Sequence, residues 1–343
     1  MRFHLSRACL AILLPALTLL QGCSQETFEA QLEDYGAKLA RVLEQDVSEP
    51  AQVEWQRLPR TRELRLTFDE ASINLLEFIQ LMECDLNALV ADHNSSLGRQ
   101  ATSSQQLIYQ LKFLASVQRC IPKIQDQHPE LAETLTSVSL KKQQQLPGYI
   151  WQATLGGTEF RSFWQPGTGQ DYSAAELSEV DLALTRLERL VVKWLKGEYE
   201  VDPAELETLL GKVRQGDGGR LLLAWLQVEN RLDNATAVLR ARGDDRPLCY
   251  PGMRTQQADI FRNVVLQDFV GAIQPVVARM NRRYYNGYQL VQSLESRLIA
   301  AEPAAYQAWR LQRDERMSSA RNSVAGHVAA LEPLMAQCGF LPE

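Results

Sequence analysis

Between Leu177 and Trp194 the apolar side chains Leu177, Val180, Leu184, Leu187, Val191 and Trp194 recur at steps of three and four, with Gly197 just beyond. An α-helix turns once in about 3.6 residues, so this spacing lays one apolar stripe along one face and requires a second surface to cover it. The same rhythm returns in Phe28, Leu32, Tyr35, Leu39 and Val42, in Leu75, Ile79, Met82, Leu86 and Leu89, and in Ile108, Leu111, Leu114 and Val117. It returns once more in a long stretch that carries Tyr306, Trp309, Met317, Ala320, Val324, Val328 and Leu331. Several amphipathic helices cover one another, and the chain is expected to fold as an all-α multi-helix bundle with long helical hairpins. Only Leu64, Leu66 and Phe68, alternating with Arg65, Thr67 and Asp69, repeat every second residue, and no second run pairs with them. One short extended segment with a buried face is expected there, and no sheet.

Local signals set the helix ends. Ser173 to Glu176 has the form of a capping box ahead of the Leu177 stripe. Asp202 followed by Pro203 starts another helix, which is expected to end by Gly216. Gly218 and Gly219 lead into residues 220–242, which are expected to stop at the turn Gly243 to Pro247. Residues 255–300 read as one long helical pattern with a kink at Gly271 and Pro275, because proline lacks an N–H and clashes with the preceding turn. Residues 129–172 hold Pro147, Gly156, Gly157 and Pro166 among many aromatics, and read as an irregular segment of shorter helices laid over the bundle. The expected division is a signal at 1–22, an N-terminal helical part at 23–165 and a long-helix part at 166–343, the last two forming two units or one continuous domain.

The N-terminus carries the clearest functional signal. Arg2 and Arg7 precede the apolar run Ala8 to Leu20, which is 13 residues long and contains Pro15. A helix crossing a bilayer needs roughly 20 apolar residues, so the run reads as an export signal rather than an anchor. Leu20, Gln21, Gly22 and Cys23 resemble the lipobox of bacterial lipoproteins, although Gln21 stands where a small or aliphatic residue is usual. The resemblance implies cleavage before Cys23 and acylation of its thiol, which fixes a protein to a membrane because two or more chains make attachment stable. Ser24 stands where an aspartate holds enterobacterial lipoproteins in the inner membrane, so the resemblance implies the periplasmic face of the outer membrane.

Without residues 1–22 the chain has 34 basic against 42 acidic side chains, a net charge of −8. That balance argues against nucleic acid or anionic headgroups as the main partner. Cys84, Cys120, Cys249 and Cys338 remain after Cys9 and Cys23 are set aside. In an oxidising compartment four cysteines suggest two disulfides, with three possible connectivities. Cys84 with Cys120 and Cys249 with Cys338 is the expected pairing, because each pair flanks one helical hairpin. No metal site and no cofactor is expected, since there is no C-x-x-C and His93, His128 and His327 lie far apart.

Two stretches stand out as candidate binding residues. Asn94, Ser95 and Ser96 open a polar loop beside His93 that suits a sugar or peptide, and equally suits a capped turn. Arg282, Arg283, Tyr284 and Tyr285 gather guanidinium groups and rings that stack on saccharides or grip acidic groups, although adjacent arginines on a helix point apart. There is no G-x-S-x-G, no phosphate-cradling loop and no distinctive carboxylate pair, so no catalytic residue is proposed.

Leu75 to Cys84, Asn94 to Gly98, the Cys120 helix end and Cys249 to Gly252 together resemble a family of gammaproteobacterial lipoproteins without an assigned activity. That resemblance supports lipidation and paired cysteines, and implies no mechanism. The expected role is a non-catalytic envelope accessory or scaffold that contacts another envelope protein or polymer. The alternatives are a carrier of a lipid or apolar ligand between helices, then a cell-wall hydrolase or its regulator.

Overall fold

The computed structural model describes residues 27–46, 49, 51–69, 86–96, 98–167 and 178–340, and among these the regular structure is helical. Helix α1 is Phe28–Leu43, started by Thr27, whose hydroxyl accepts from the Ala30 N–H at 3.2 Å, and closed by Glu44 in the left-handed region. α2 (Leu86–Asn94) leads to the antiparallel pair α3 (Ser103–Ile124) and α4 (Pro129–Ala153), followed by the short α5 (Thr158–Phe163). Next come α6 (Ser178–Leu195), α7 (Pro203–Val213) and α8 (Gly218–Asp245). The capping box at Ser173 to Glu176 lies outside the described residues, but Gly197 closes α6 with φ 91°, and Asp202 caps α7 by accepting from the Ala204 and Glu205 N–H groups.

Residues 256–297 form one long rod of alternating helix type: α9 (Gln256–Val264), π1 (Val265–Ile273), α10 (Gln274–Arg283), π2 (Tyr284–Tyr288) and α11 (Gln289–Arg297). The turn at Ile299–Ala301 then folds the chain back into α12 (Ala304–Gln337). Around Gly271 and Pro275, where a kink was expected, the helix widens into π1, and the Gln274 N–H reaches back five residues to the Phe269 carbonyl.

Hydrogen bonds fix the directions. Ser319 meets Glu229 at 2.5 Å, His327 meets Thr236 at 2.9 Å and Gln337 meets the Leu248 N–H at 3.0 Å, so α12 runs parallel to α8. The rod runs the other way: Gln257 reaches the Val42 carbonyl, Asp268 meets Lys38, and Tyr288 meets Asp314. Parallel α8 and α12 therefore end side by side, and there Cys249 and Cys338 are joined in a disulfide with Cα atoms 5.2 Å apart, the pairing expected from the sequence. Cys120 is also disulfide-bonded, whereas Cys84 lies outside the described residues.

The main core takes side chains from Phe28 through Trp151, Trp194 and Trp225 to Cys338, so it draws on both sides of position 165. A second, smaller core of Leu86, Val90, Phe113, Val117, Leu131 and Leu135 fills the far half of the α3–α4 pair. Two expectations are corrected here. Residues 129–153 are not a broken set of short helices: α4 runs through Pro147, because Leu146, Ile150 and Trp151 are buried in the main core and hold the helix across the missing bond. Likewise α8 starts at its two glycines and continues past Gly243 to Asp245, where the Arg242 guanidinium bonds the Arg246 and Pro247 carbonyls.

The extended segment keeps its alternation without joining a sheet. Leu64 is buried, Leu66 donates its N–H to Gln152 at 3.0 Å and Phe68 stacks on Tyr149, while Arg65, Thr67 and Asp69 are exposed. Upstream, the Trp309 indole and Arg316 bond the carbonyls of Gln56 and Glu54, so residues 54–68 strap across α12 to α4.

Candidate functional site

The loop after α2 is a capped turn. Ser95 donates its hydroxyl to the Asp92 carbonyl at 2.7 Å and accepts from the Gly98 N–H at 3.0 Å, while the Asn94 carbonyl takes a bond from Arg99. Ser96 is exposed beside them, and His93 stacks flat on Tyr109 at 3.8 Å. Of these three, the Ser95 side chain serves the backbone at a helix end, Asn94 offers its main-chain carbonyl to Arg99, and Ser96 is exposed.

The second candidate divides between core and solvent. Arg282 is exposed, whereas Arg283 is buried and bonds Asp217 at 2.9 Å and Asp181, tying the rod to α6 and to the start of α8. Gly287 in π2 makes room for it, because a Cβ there would lie 2.5 Å from the guanidinium. Tyr284 stacks on Tyr288 and carries the Arg321 guanidinium 3.7 Å above its ring, and Arg321 also donates to the exposed Tyr285 hydroxyl at 3.0 Å.

One helical turn along, the polar seam continues through residues that no sequence motif marked. Arg313, with no exposed surface, forms a two-pronged pair with Glu295 at 2.7 Å on each prong and bonds Asp314 at 2.8 Å. Its guanidinium lies 4.5 to 5.2 Å from the ring centres of Trp164, Trp309 and Tyr288. The Tyr306 hydroxyl donates to Glu295 and the Tyr288 hydroxyl to Asp314. Burial holds both phenols well above their usual range, so they remain protonated donors. The signal for Arg313 was present: Tyr306, Trp309, Arg313, Met317 and Ala320 step by three and four, placing a cation in the core stripe of α12.

His327 occupies the same stripe one end further on. Its Nε2 lies 2.7 Å from the Tyr35 hydroxyl and its Nδ1 lies 2.9 Å from the Thr236 hydroxyl, which donates onward to the Leu232 carbonyl at 2.6 Å. That onward bond uses the threonine proton, so Nδ1 carries the ring hydrogen and Nε2 accepts from tyrosine. Burial pushes the imidazole down to about 4, keeping it neutral, and pushes the Tyr35 phenol up. The histidine joins α1, α8 and α12.

A surface cleft of about 410 Å³ opens between the α3–α4 pair and the C-terminal end of α6, with Gln118, Gln143, Pro147 and Lys196 on its wall. No group of three or more potential metal-ligating side chains occurs among the described residues.

Residues 32–342 match the family described as protein of unknown function (DUF3080). The chain belongs to that family. No curated protein and no solved structure matches the chain. The DUF3080 region takes in the seam, His327, the cleft and Cys84, Cys120, Cys249 and Cys338, and begins after Cys23.

Proposed function

We propose that this DUF3080 protein is a non-catalytic accessory or scaffold of the cell envelope, lipid-anchored through Cys23 at the periplasmic face of the outer membrane. The observation that carries the non-catalytic part is where the buried ionisable groups go. Arg283, Glu295, Arg313 and His327 each bond a side chain from another helix, so their chemistry is committed to holding the bundle together. The large aromatics that a lipid carrier needs for lining a cavity pack on one another instead, Trp164 against Phe163, Tyr288 and Trp309, and Trp151 against Tyr306. Anchoring rests on the lipobox-like end at Cys23, and the buried Cys249–Cys338 bond fits an oxidising compartment. Thr27 caps α1 only four residues after Cys23, a reach of at most about 14 Å, which would hold the body against the membrane.

The test is to crosslink cells that make the protein, purify it in mild detergent and identify by mass spectrometry what it carries. The reading expects acyl chains on Cys23 and a recurrent envelope protein or cell-wall fragment that is lost in Cys23→Ala. An unmodified Cys23 would remove the anchor, and a bound lipid without a protein or polymer partner would replace the scaffold with a carrier.

A further inference from the structure

The cleft beside α6 is built from acceptors. Pro147 has no N–H to give the Gln143 carbonyl one turn earlier, so that carbonyl loses its helical partner, and both residues line the cleft. Leu195 ends α6 and Lys196 follows it, both on the cleft wall; the capping N–H groups of Lys196, Gly197 and Glu198 take the Val192, Lys193 and Trp194 carbonyls, which leaves those of Leu195 and Lys196 at the partially negative helix end. The amide nitrogen of Gln118 is held by the Gly197 carbonyl at 3.1 Å and that of Gln143 by the Ser139 hydroxyl at 3.2 Å. Those bonds set each amide's orientation and leave its oxygen as the atom to offer. The exposed wall is mostly polar, and Pro147 and Leu195 add a small apolar surface beside these oxygens.

The volume, about 410 Å³, lies within the usual range for ligand sites, roughly 300–1,000 Å³. A ligand that matches must bring several donors and one apolar face. Lys196 on the wall repels a cationic amine. We propose that the cleft binds a saccharide unit, with sugar hydroxyls donating to the Gln118 and Gln143 oxygens and to the Leu195 and Lys196 carbonyls, and the C–H face resting on Pro147 and Leu195. This goes beyond the scaffold reading and does not rest on the anchor, so either can fail while the other stands.

The test is a titration of the full-length protein in detergent with N,N′-diacetylchitobiose and with maltose, both uncharged, read by saturation-transfer NMR, using ethanolamine as the amine control. Saturable transfer from at least one disaccharide and none to ethanolamine is expected. Two variants then separate binding from folding. Gln143→Leu removes an acceptor, and Pro147→Ala returns the N–H that would occupy the Gln143 carbonyl while completing the helix. Each is expected to weaken the disaccharide about tenfold, the worth of one hydrogen bond, and Pro147→Ala does so in a protein that melts no lower than wild type. No transfer from either disaccharide at millimolar concentration, transfer unchanged in both variants, or binding of ethanolamine alone would overturn the proposal.

Discussion

At the scale of single residues, polar atoms inside this bundle cost free energy unless every one is paired, and the pairs chosen here connect helices that the chain places far apart. Arg313 with Glu295 bridges the two sides of the turn at Ile299–Ala301, and His327 gathers α1, α8 and α12. The histidine has a measurable consequence. Its folded value near 4 lies below the value of 6.5 for an unperturbed imidazole. As pH falls through that window the unfolded chain takes up a proton that the folded chain refuses, so stability present above pH 6.5 is lost down to about pH 4 and then levels off. The shift corresponds to a loss on the order of 3 kcal/mol. Urea unfolding of the wild type between these pH values should show that decline, and His327→Gln, although less stable at neutral pH, should show a shallower one. Equal slopes in the two proteins would mean that His327 is not the group being titrated.

At the scale of elements, the helices were legible because burial imposes its period on the sequence: the stripes beginning at Phe28, Ile108 and Tyr306 each lie in an observed helix, as does the Leu177 stripe from Val180 onward, Leu177 itself lying outside the described residues. What the stripes did not disclose is how prolines are accommodated. Pro147 and Pro275 both read as interruptions, yet one sits inside a continuous helix and the other follows a π turn, because buried neighbours on both sides outweigh a missing bond. The polar seam was only faintly legible for a related reason: a buried arginine has no sequence signature of its own, and only its register with Tyr306 and Met317 gives it away. π2 lies between the two halves of this seam: Arg283 just before it meets Asp181 and Asp217, and Tyr288 at its end meets Asp314. Gly287 is therefore intolerant of a side chain. The added methyl of Gly287→Ala would meet the Arg283 guanidinium, an ordinarily movable group that two carboxylates hold in place. A loss of about 1–3 kcal/mol is expected in denaturant unfolding, the usual cost of overpacking. Asp217→Asn should reduce that loss by loosening the arginine, and strict additivity of the two changes would sink the explanation.

At the scale of the whole molecule, the pairing of α8 with α12 is parallel, and parallel neighbours need a return path. The rod from Gln256 to Arg297 supplies it, running antiparallel to both α1 and α12. The Cys249–Cys338 bond closes this circuit where the two long helices finish, across a sequence separation of 89 residues. A crosslink of that span acts chiefly on the unfolded chain, which loses conformational freedom, and typically contributes about 2–4 kcal/mol. The native helices are held beside it by bonds that do not involve sulfur, among them Gln337 to Leu248 and His327 to Thr236. Replacing both cysteines by serine should consequently leave the helical circular dichroism unchanged at room temperature while lowering the denaturant midpoint by an amount corresponding to about 2–4 kcal/mol. The double variant is the informative one, since a single replacement leaves a reactive thiol beside the helix ends. Loss of helix in the folded baseline would show instead that the disulfide holds α8 and α12 together in the native state, and that the hydrogen bonds between them are too weak to do so alone.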